Sequence, residues 1–270
     1  MNLQTLSSKA RIVARSVREG LREAREGSAT KLTPEDPEQV SGQVLEWPKP
    51  GDYDAIADMS IRQWLRYHQG DVAFEQVTYR GVQALKFPLD TWVYQEIIHS
   101  TAPTTIIEIG SNAGGSTLMY ADLLEVRGGP GVVISVDIDR DRYVISHDRV
   151  REVTGDSRSA ATAAAVRELI VGDRVMVIHD GSHEEEDVFA DLGWYGEMVT
   201  PGCYLIVEDG IVDWDPEIGR WSENRGGPLA ATRRFLAEHP EFSVDLAAER
   251  YLMTYNPNGF LRRSEDVATA

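Results

Sequence analysis

The feature that most restricts this chain is a repeated alternation: short apolar runs that stop at glycine or an acid, each followed by a stretch of helical length. Ile106–Ile109 stops at Gly110, Val132–Val136 at Asp137, Val175–Ile178 at His179-Asp180, and Tyr204–Val207 at Glu208-Asp209. A weaker run, Arg149–Val153, precedes Gly155-Asp156-Ser157. Asn112–Val126, Ser159–Ile170 and Glu184–Met198 between them have helical periodicity, with Asp90–Ser100 before the first run and Pro228–Glu238 after the last. Near-continuous apolar strands joined through helices predict an α/β fold: a parallel sheet covered on both faces. Phe242–Ala247 and Tyr251–Tyr255 are expected to close the sheet as an antiparallel pair. A chain of 270 residues then holds one α/β domain, 53–270, behind an N-terminal helix and linker, 1–52.

The extension has its own character. Residues 1–32 carry seven Lys/Arg against three Glu, with Leu6, Ala10, Val13, Val17 and Leu21 along one side of a helix and five arginines along another. Such a helix suits contact between subunits, so a homo-oligomer is expected. Pro34, Pro37, Pro48, Pro50 and Gly51 make the remainder a linker.

Charge narrows the partners. Twenty-seven basic and 44 acidic residues give a net charge of −17, which repels nucleic-acid phosphates and anionic lipid and leaves small molecules and metal cations. No run approaches the roughly 18 to 20 apolar residues of a membrane span, and the N-terminus lacks an apolar signal core. Cys203 is the sole cysteine, so no intrachain disulfide forms and a cytoplasmic location is expected.

In an open α/β sheet, ligands gather beyond the carboxyl ends of the strands. There Glu108–Thr117 (EIGSNAGGST) places Gly110, Gly114 and Gly115 in the turn before a helix, where a ligand can approach the backbone. Asn112 occupies the second glycine position of a G-x-G-x-x-G dinucleotide fingerprint, which is therefore missing. Asp137, ending the second strand, can accept hydrogen bonds from both hydroxyls of a ribose. Together these predict a nucleoside-like cofactor without separating S-adenosylmethionine (SAM) from a nicotinamide dinucleotide.

Asp180 and the pair Glu208-Asp209 end consecutive strands, expected to be sheet neighbours about 5 Å apart. Hard carboxylate oxygens converging there, with room for water and substrate oxygens, predict Mg²⁺ or another divalent cation, not zinc. Consecutive residues of a regular strand face opposite ways, so Glu208 and Asp209 can share an ion only if the chain is already turning. Gly210 allows it. A metal so placed could hold a substrate hydroxyl and lower its pKa. For the base, no lysine follows Lys86, so none is expected at this site. His183, three residues after Asp180, is the best-positioned general base. His179 is expected to pack or support a ligand. Trp214 and Trp221 sit in a long Gly-, Pro- and Trp-rich stretch, 211–227, that suits a lid over an acceptor pocket, whereas Trp194 and Tyr195 lie within a helix and should pack.

With these residues in view, the sequence resembles the cephalosporin hydroxylase and rhamnosyl O-methyltransferase family of class I SAM-dependent methyltransferases, over about residues 75–263. Matching blocks include Tyr79–Ile98, Ile106–Leu124, Val133–Asp139, His179–Val188, Leu205–Gly210, Gly226–Leu236 and Tyr251–Arg263. The resemblance implies a Rossmann-like seven-stranded sheet in the order 3-2-1-4-5-7-6 and Mg²⁺-dependent O-methylation of a small molecule, a (deoxy)sugar in antibiotic or other natural-product biosynthesis above all. It implies SAM contacts at Gly110, Ser111, Asp137 and Ser157 and a metal on Asp180, Glu208 and Asp209; Glu108, Gly115, Ser116, Asp139 and Asp180 are further expected cofactor neighbours, and Asp180 is expected to be catalytic together with His183, which is reached by elimination and not by match. Related macrolide-sugar methyltransferases carry D-G-D where this chain has Asp180-Gly181-Ser182, which moves the base to His183. The alternatives are a hydroxylase-like tailoring enzyme, a nicotinamide-dependent oxidoreductase and a non-catalytic cofactor-binding subunit.

Overall fold

The computed structural model describes residues 47–215, 218 and 226–265. The chain divides into two units, Met1–Asp58 and Met59–Ala270. In the first, helix α1 (Tyr53–Ala57) is N-capped by Asp52, whose side chain accepts from the Ala55 N–H. The basic segment 1–32 lies outside the described residues.

The second unit opens with α2 (Ile61–Tyr67), started by a reciprocal capping box between Ser60 and Gln63. It passes into a π-helical turn (His68–Ala73), a single turn α3 (Phe74–Gln76) and a small hairpin, β1 (Thr78–Tyr79) with β2 (Val82–Gln83). Helix α4 (Pro88–Thr101) has proline in its first turn, where no backbone donor is missed. The alternation then follows as β3 (Thr105–Ile109), α5 (Gly115–Arg127), β4 (Val132–Asp137), β5 (Val150–Thr154), α6 (Ala160–Leu169), β6 (Val175–His179), α7 (Glu185–Gly196) and β7 (Tyr204–Val207). A short α8 (Ile211–Trp214), α9 (Pro228–Glu238), β8 (Phe242–Val244) and β9 (Phe260–Arg263) complete the unit.

One seven-stranded sheet results, in the order β5-β4-β3-β6-β7-β9-β8, with only β9 antiparallel to its neighbours. Counted from β3 as the first strand, this is 3-2-1-4-5-7-6, the expected order. Strands β3, β6 and β7 are buried throughout, as strands sandwiched between helices must be. The main core joins them to α4, α5 and α7 through Tyr94, Tyr120, Leu192 and Tyr195, with Cys203 also buried.

The final strand is not where periodicity put it. Tyr251–Tyr255 forms no strand; the closing partner of β8 is Phe260–Arg263. Leu252 takes a left-handed conformation (φ 63°) and is exposed, which breaks the extended run. Tyr255 packs in a second, smaller cluster with Leu65, Phe87 and Ile211. The apolar content of this segment serves a crossing over the sheet's active edge, not sheet pairing.

Candidate active site

Three strand ends meet in one register row: Ile109 of β3 pairs with His179 of β6, which pairs with Val207 of β7. The residues that follow therefore share one edge. Gly110 has φ +85°, and a Cβ there would stand 1.9 Å from the Asp180 carbonyl oxygen, so the turn after β3 requires glycine. Across from it, Asp137 Oδ2 accepts the backbone N–H groups of Ser111 (2.9 Å) and Asn112 (2.7 Å). The carboxylate thus orders the glycine-rich turn, while its Oδ1 receives only a 3.4 Å contact from the Asp139 N–H.

A cavity of about 680 Å³ begins here, within the usual range of small-molecule sites. Its lining includes Gly110, Ser111, Ser116, Asp137, Asp139 and Ser157 from the side of β3, β4 and β5, and Asp180, His183 and Asp209 from the side of β6 and β7. Two expected cofactor residues are not among its lining. Glu108 is fully buried beneath the turn, where its Oε2 accepts from the Thr117 hydroxyl. At Gly115 a Cβ would meet the Gln83 carbonyl oxygen at 2.3 Å, so that glycine admits the β1–β2 hairpin. Ser157 Oγ donates to Asp191 Oδ2 (2.9 Å), and His179 Nε2 lies 3.0 Å from the same oxygen. His179 is thus a buried support for the Ser157 side of the cavity. Tyr195 is buried and donates to the Ser157 carbonyl.

On the side of β6 and β7, Asp180, His183 and Asp209 each offer a ligand atom within 4.8 Å of the others. The turn expected at the Glu208-Asp209 pair is present, since Asp209 is left-handed (φ 59°). Its N–H donates to Asn256 Oδ1 (3.0 Å), and Asn256 Nδ2 donates to the Tyr94 hydroxyl (2.6 Å). Sequence reasoning gave Asn256 no role, yet it holds the strained turn. Glu208 does not join the trio; both its oxygens accept from Lys86 Nζ at 2.9 Å.

Lys86 corrects the expectation that no lysine reaches the site. Its ammonium also donates to Asp180 Oδ2, and the side chain is 1% exposed. Position in the chain misled, because Lys86 lies 94 residues before Asp180 and enters from the segment between the hairpin and α4. The available signal was a lysine set between Leu85 and Phe87, in an apolar run where a charge needs a buried partner. Burial works against its charge, but Asp180 and Glu208 outweigh it and hold the pKa well above the ordinary lysine value. Burial pushes Asp180 and Glu208 upward as well. An ammonium bonded to both oxygens of Glu208 supports the ion-paired form.

His183 Nε2 lies 2.8 Å from Asp209 Oδ2. Burial lowers the basicity of its imidazole, but the bond to Asp209 and the charges of Asp209 and Asp180 prevail and raise the pKa to about 9. The donor set suits a hard divalent cation: Mg²⁺ takes one or two protein carboxylates and completes its shell with water or substrate oxygens, and atoms on opposite sides of it stand about 4.2 Å apart. Trp214 does not line the cavity; it is 45% exposed, with the Arg62 guanidinium 4.4 Å from its ring centroid. Trp221 lies outside the described residues.

A family model described as "Rhamnosyl O-methyltransferase/CmcI" matches residues 72–264. A rhamnosyl O-methyltransferase of Mycobacterium leprae is 31% identical over 217 residues, covering 78% of this chain and 91% of that protein. The Mycobacterium tuberculosis rhamnosyl O-methyltransferase is 28% identical over 218 residues, covering 78% and 86%. Among solved structures, CmcI without ligand aligns with a TM-score of 0.56 at 25% identity, covering 83% of this chain and 87% of that one. CmcI with Mg and SAM aligns with the same TM-score at 24% identity and the same coverage.

Proposed function

The chain belongs to the rhamnosyl O-methyltransferase/CmcI family of SAM-dependent O-methyltransferases, and from that premise we propose that it methylates a hydroxyl of a sugar or glycoside with the help of Mg²⁺. The observation that carries this reading is the single cavity running from Asp137 and Ser157 to Asp180, His183 and Asp209. One side suits a nucleoside and the other an acceptor hydroxyl beside acidic metal ligands. The sugar acceptor rests on what the mycobacterial relatives are named for, and Mg²⁺ on the donor set together with its presence beside SAM in CmcI. We further place the enzyme in natural-product or glycolipid tailoring as a homo-oligomer.

SAM supplies an electrophilic methyl group on a sulfonium, and Mg²⁺ on Asp180 and Asp209 supplies a Lewis acid for the acceptor oxygen. The chain's own residues do the rest. Asp137 fixes the turn that would face a bound cofactor, and Ser111, Ser116 and Ser157, which line the cavity, would give its polar groups partners. With the cofactor bound, transfer would form a C–O bond as the S–CH₃ bond breaks, leaving the acceptor proton for a side chain of this site to take. His183 Nε2, beside Asp209, is the side chain placed to take it. The same charges that raise its pKa are those a divalent cation neutralises, so the imidazole becomes a neutral base only in the loaded site.

The test is incubation with SAM, Mg²⁺ and a panel of rhamnosyl and deoxysugar glycosides and nucleotide sugars, read by mass spectrometry. Gain of one methyl group on a sugar hydroxyl is expected. Thermal shift by NAD but not by SAM would instead support the oxidoreductase reading.

A further inference from the structure

The cavity has a wall that the reaction described so far does not use. Gln69 and Ala73 of the π-helical turn after α2, and Phe74, the first residue of α3, line it. In a π-helix the hydrogen bond runs between a residue and the fifth one along, so Gln69 and Phe74 come near a common face that an α-helix would split by about 140°. His68 fixes the turn from behind. Its Nδ1 lies 2.6 Å from the Tyr255 hydroxyl, and its ring stacks on Trp64 (5.2 Å) and meets Phe87 edge-on (5.3 Å). The Tyr255 carbonyl accepts from the Ile211 N–H (2.9 Å), and the Val212 N–H donates to the Asp209 carbonyl (3.1 Å), so the turn is tied to the segment that leaves the end of β7. Gln69 Oε1 is buried and has no hydrogen-bond partner among the described residues. Phe74 is 42% exposed although it is a large apolar side chain. A buried amide oxygen without a donor is unfavourable, and no bond holds this one back from a donor that enters the cavity. With Leu85 and Val212, which also line the cavity, the wall carries no charge.

We propose that this π-helical turn recognises the acceptor: the Phe74 ring lies against the apolar face of a neutral sugar ring, and Gln69 Oε1 accepts a hydrogen bond from a hydroxyl of that ring other than the one methylated. The class of acceptor rests on the sugar O-methylation reading above. The wall has its own support in the pairing of an aromatic surface with an unpartnered amide on one face, since small-molecule sites take orientation from a few placed polar groups set in apolar and aromatic surface. A pyranose matches both halves, with C–H groups on its faces and hydroxyls around its rim. An uncharged wall offers no partner to a phosphate, which favours a glycoside over a nucleotide sugar at this position. Gln69 also lies just before residues 72–264, the segment that the family model matches. Acceptor choice can vary there without touching the cofactor turn or the carboxylates.

The experiment uses the full chain with Mg²⁺ and S-adenosylhomocysteine, which has no methyl group to give, and measures binding of methyl α-L-rhamnoside and its monodeoxy analogues by saturation-transfer NMR. Wild type is compared with Gln69→Leu, Gln69→Glu and Phe74→Leu. Gln69→Leu should bind the parent rhamnoside roughly three- to tenfold more weakly, the range of one neutral hydrogen bond. It should also cease to discriminate against one monodeoxy analogue while still discriminating against the others. Gln69→Glu, which keeps an acceptor oxygen, should keep that discrimination, and Phe74→Leu should weaken the parent and every analogue alike. Without sugar, Gln69→Leu should melt no lower than wild type, because the oxygen removed has no partner in the fold, and each variant should gain the wild-type stabilisation from S-adenosylhomocysteine. Equal weakening of every rhamnoside by Gln69→Leu, or a lower melting temperature without sugar, overturns the role of Gln69; unchanged binding in Phe74→Leu overturns that of Phe74. Weaker S-adenosylhomocysteine binding with rhamnoside binding unchanged gives the wall to the cofactor and overturns the proposal. Methyl transfer from SAM to a rhamnoside with discrimination unaltered in Gln69→Leu supports sugar O-methylation and overturns the wall, whereas lost discrimination without methyl transfer supports the wall and removes sugar O-methylation. No rhamnoside binding by wild type overturns the wall, and methylation of the other members of the acceptor panel then decides the function.

Discussion

Replacing Asn256 with alanine removes two buried hydrogen bonds from the turn that presents Asp209. The side chain is 1% exposed, accepts from the Asp209 N–H at 3.0 Å and donates to the Tyr94 hydroxyl at 2.6 Å. Leaving a buried donor or acceptor without a partner costs about 1 to 3 kcal/mol for each group. Asp209 can escape part of that cost by leaving its left-handed conformation (φ 59°), which itself costs about 1 to 2 kcal/mol. Such relaxation would carry the carboxylate away from Asp180 and His183. The expected result is a loss of about 3 kcal/mol in urea unfolding of the metal-free protein, and Mg²⁺ affinity at least about tenfold weaker, equivalent to 1.4 kcal/mol. Asn256→Asp, which keeps an acceptor for the Asp209 N–H but adds a buried charge, should not restore stability at neutral pH. A stability loss below about 1 kcal/mol together with unchanged Mg²⁺ affinity refutes the role given to Asn256.

Other perturbations address the remaining parts of the site. In the metal-free protein, NMR titration of His183 should give a pKa near 9, moving down toward the ordinary histidine value on addition of Mg²⁺ as Asp180 and Asp209 are neutralised; no downward movement removes His183 from the metal's vicinity. Burial raises Asp90 from 3.8 to about 7, so between those values the unfolded chain ionises while the folded one retains its proton, and stability falls as pH rises. Asp90→Asn, which still accepts from the Tyr255 N–H, should match wild type near pH 4 and exceed it at pH 8 by up to about 4 kcal/mol; equal stability at both pH values contradicts this. Gly110→Ala forces a Cβ to within 1.9 Å of a backbone oxygen at φ +85° and should destabilise by more than about 3 kcal/mol or abolish SAM binding, measured by thermal shift with and without SAM.

The parts of this fold legible in the sequence are those that a local pattern encodes. Mostly apolar strands bounded by glycine or acids announced β3, β4, β6 and β7, and the Gly110 turn and Asp137 followed from their ends. Phe260–Arg263 was missed because two of its four residues are arginines, while the apolar Tyr251–Tyr255 stretch nearby looked more like a strand. The segment's true role depends on Tyr255 packing against Phe87 and on Asn256 reaching Asp209, contacts between distant parts of the chain. The metal end shows the same division. Asp180 and Asp209 could be placed because adjacent parallel strands align their ends. Whether Glu208 faced the same point depended on one left-handed residue and on a lysine arriving from before α4, and neither leaves a periodic trace.

The most direct test of the central claim is methyl transfer from isotopically labelled SAM to a rhamnosyl glycoside, measured with Mg²⁺, after EDTA treatment, and after Mg²⁺ is restored. Wild-type protein should transfer the label only with the metal present and recover on its return, and Asp180→Asn should remain inactive throughout. Turnover that persists undiminished in EDTA, or in Asp180→Asn, contradicts a methyltransferase centred on a divalent cation.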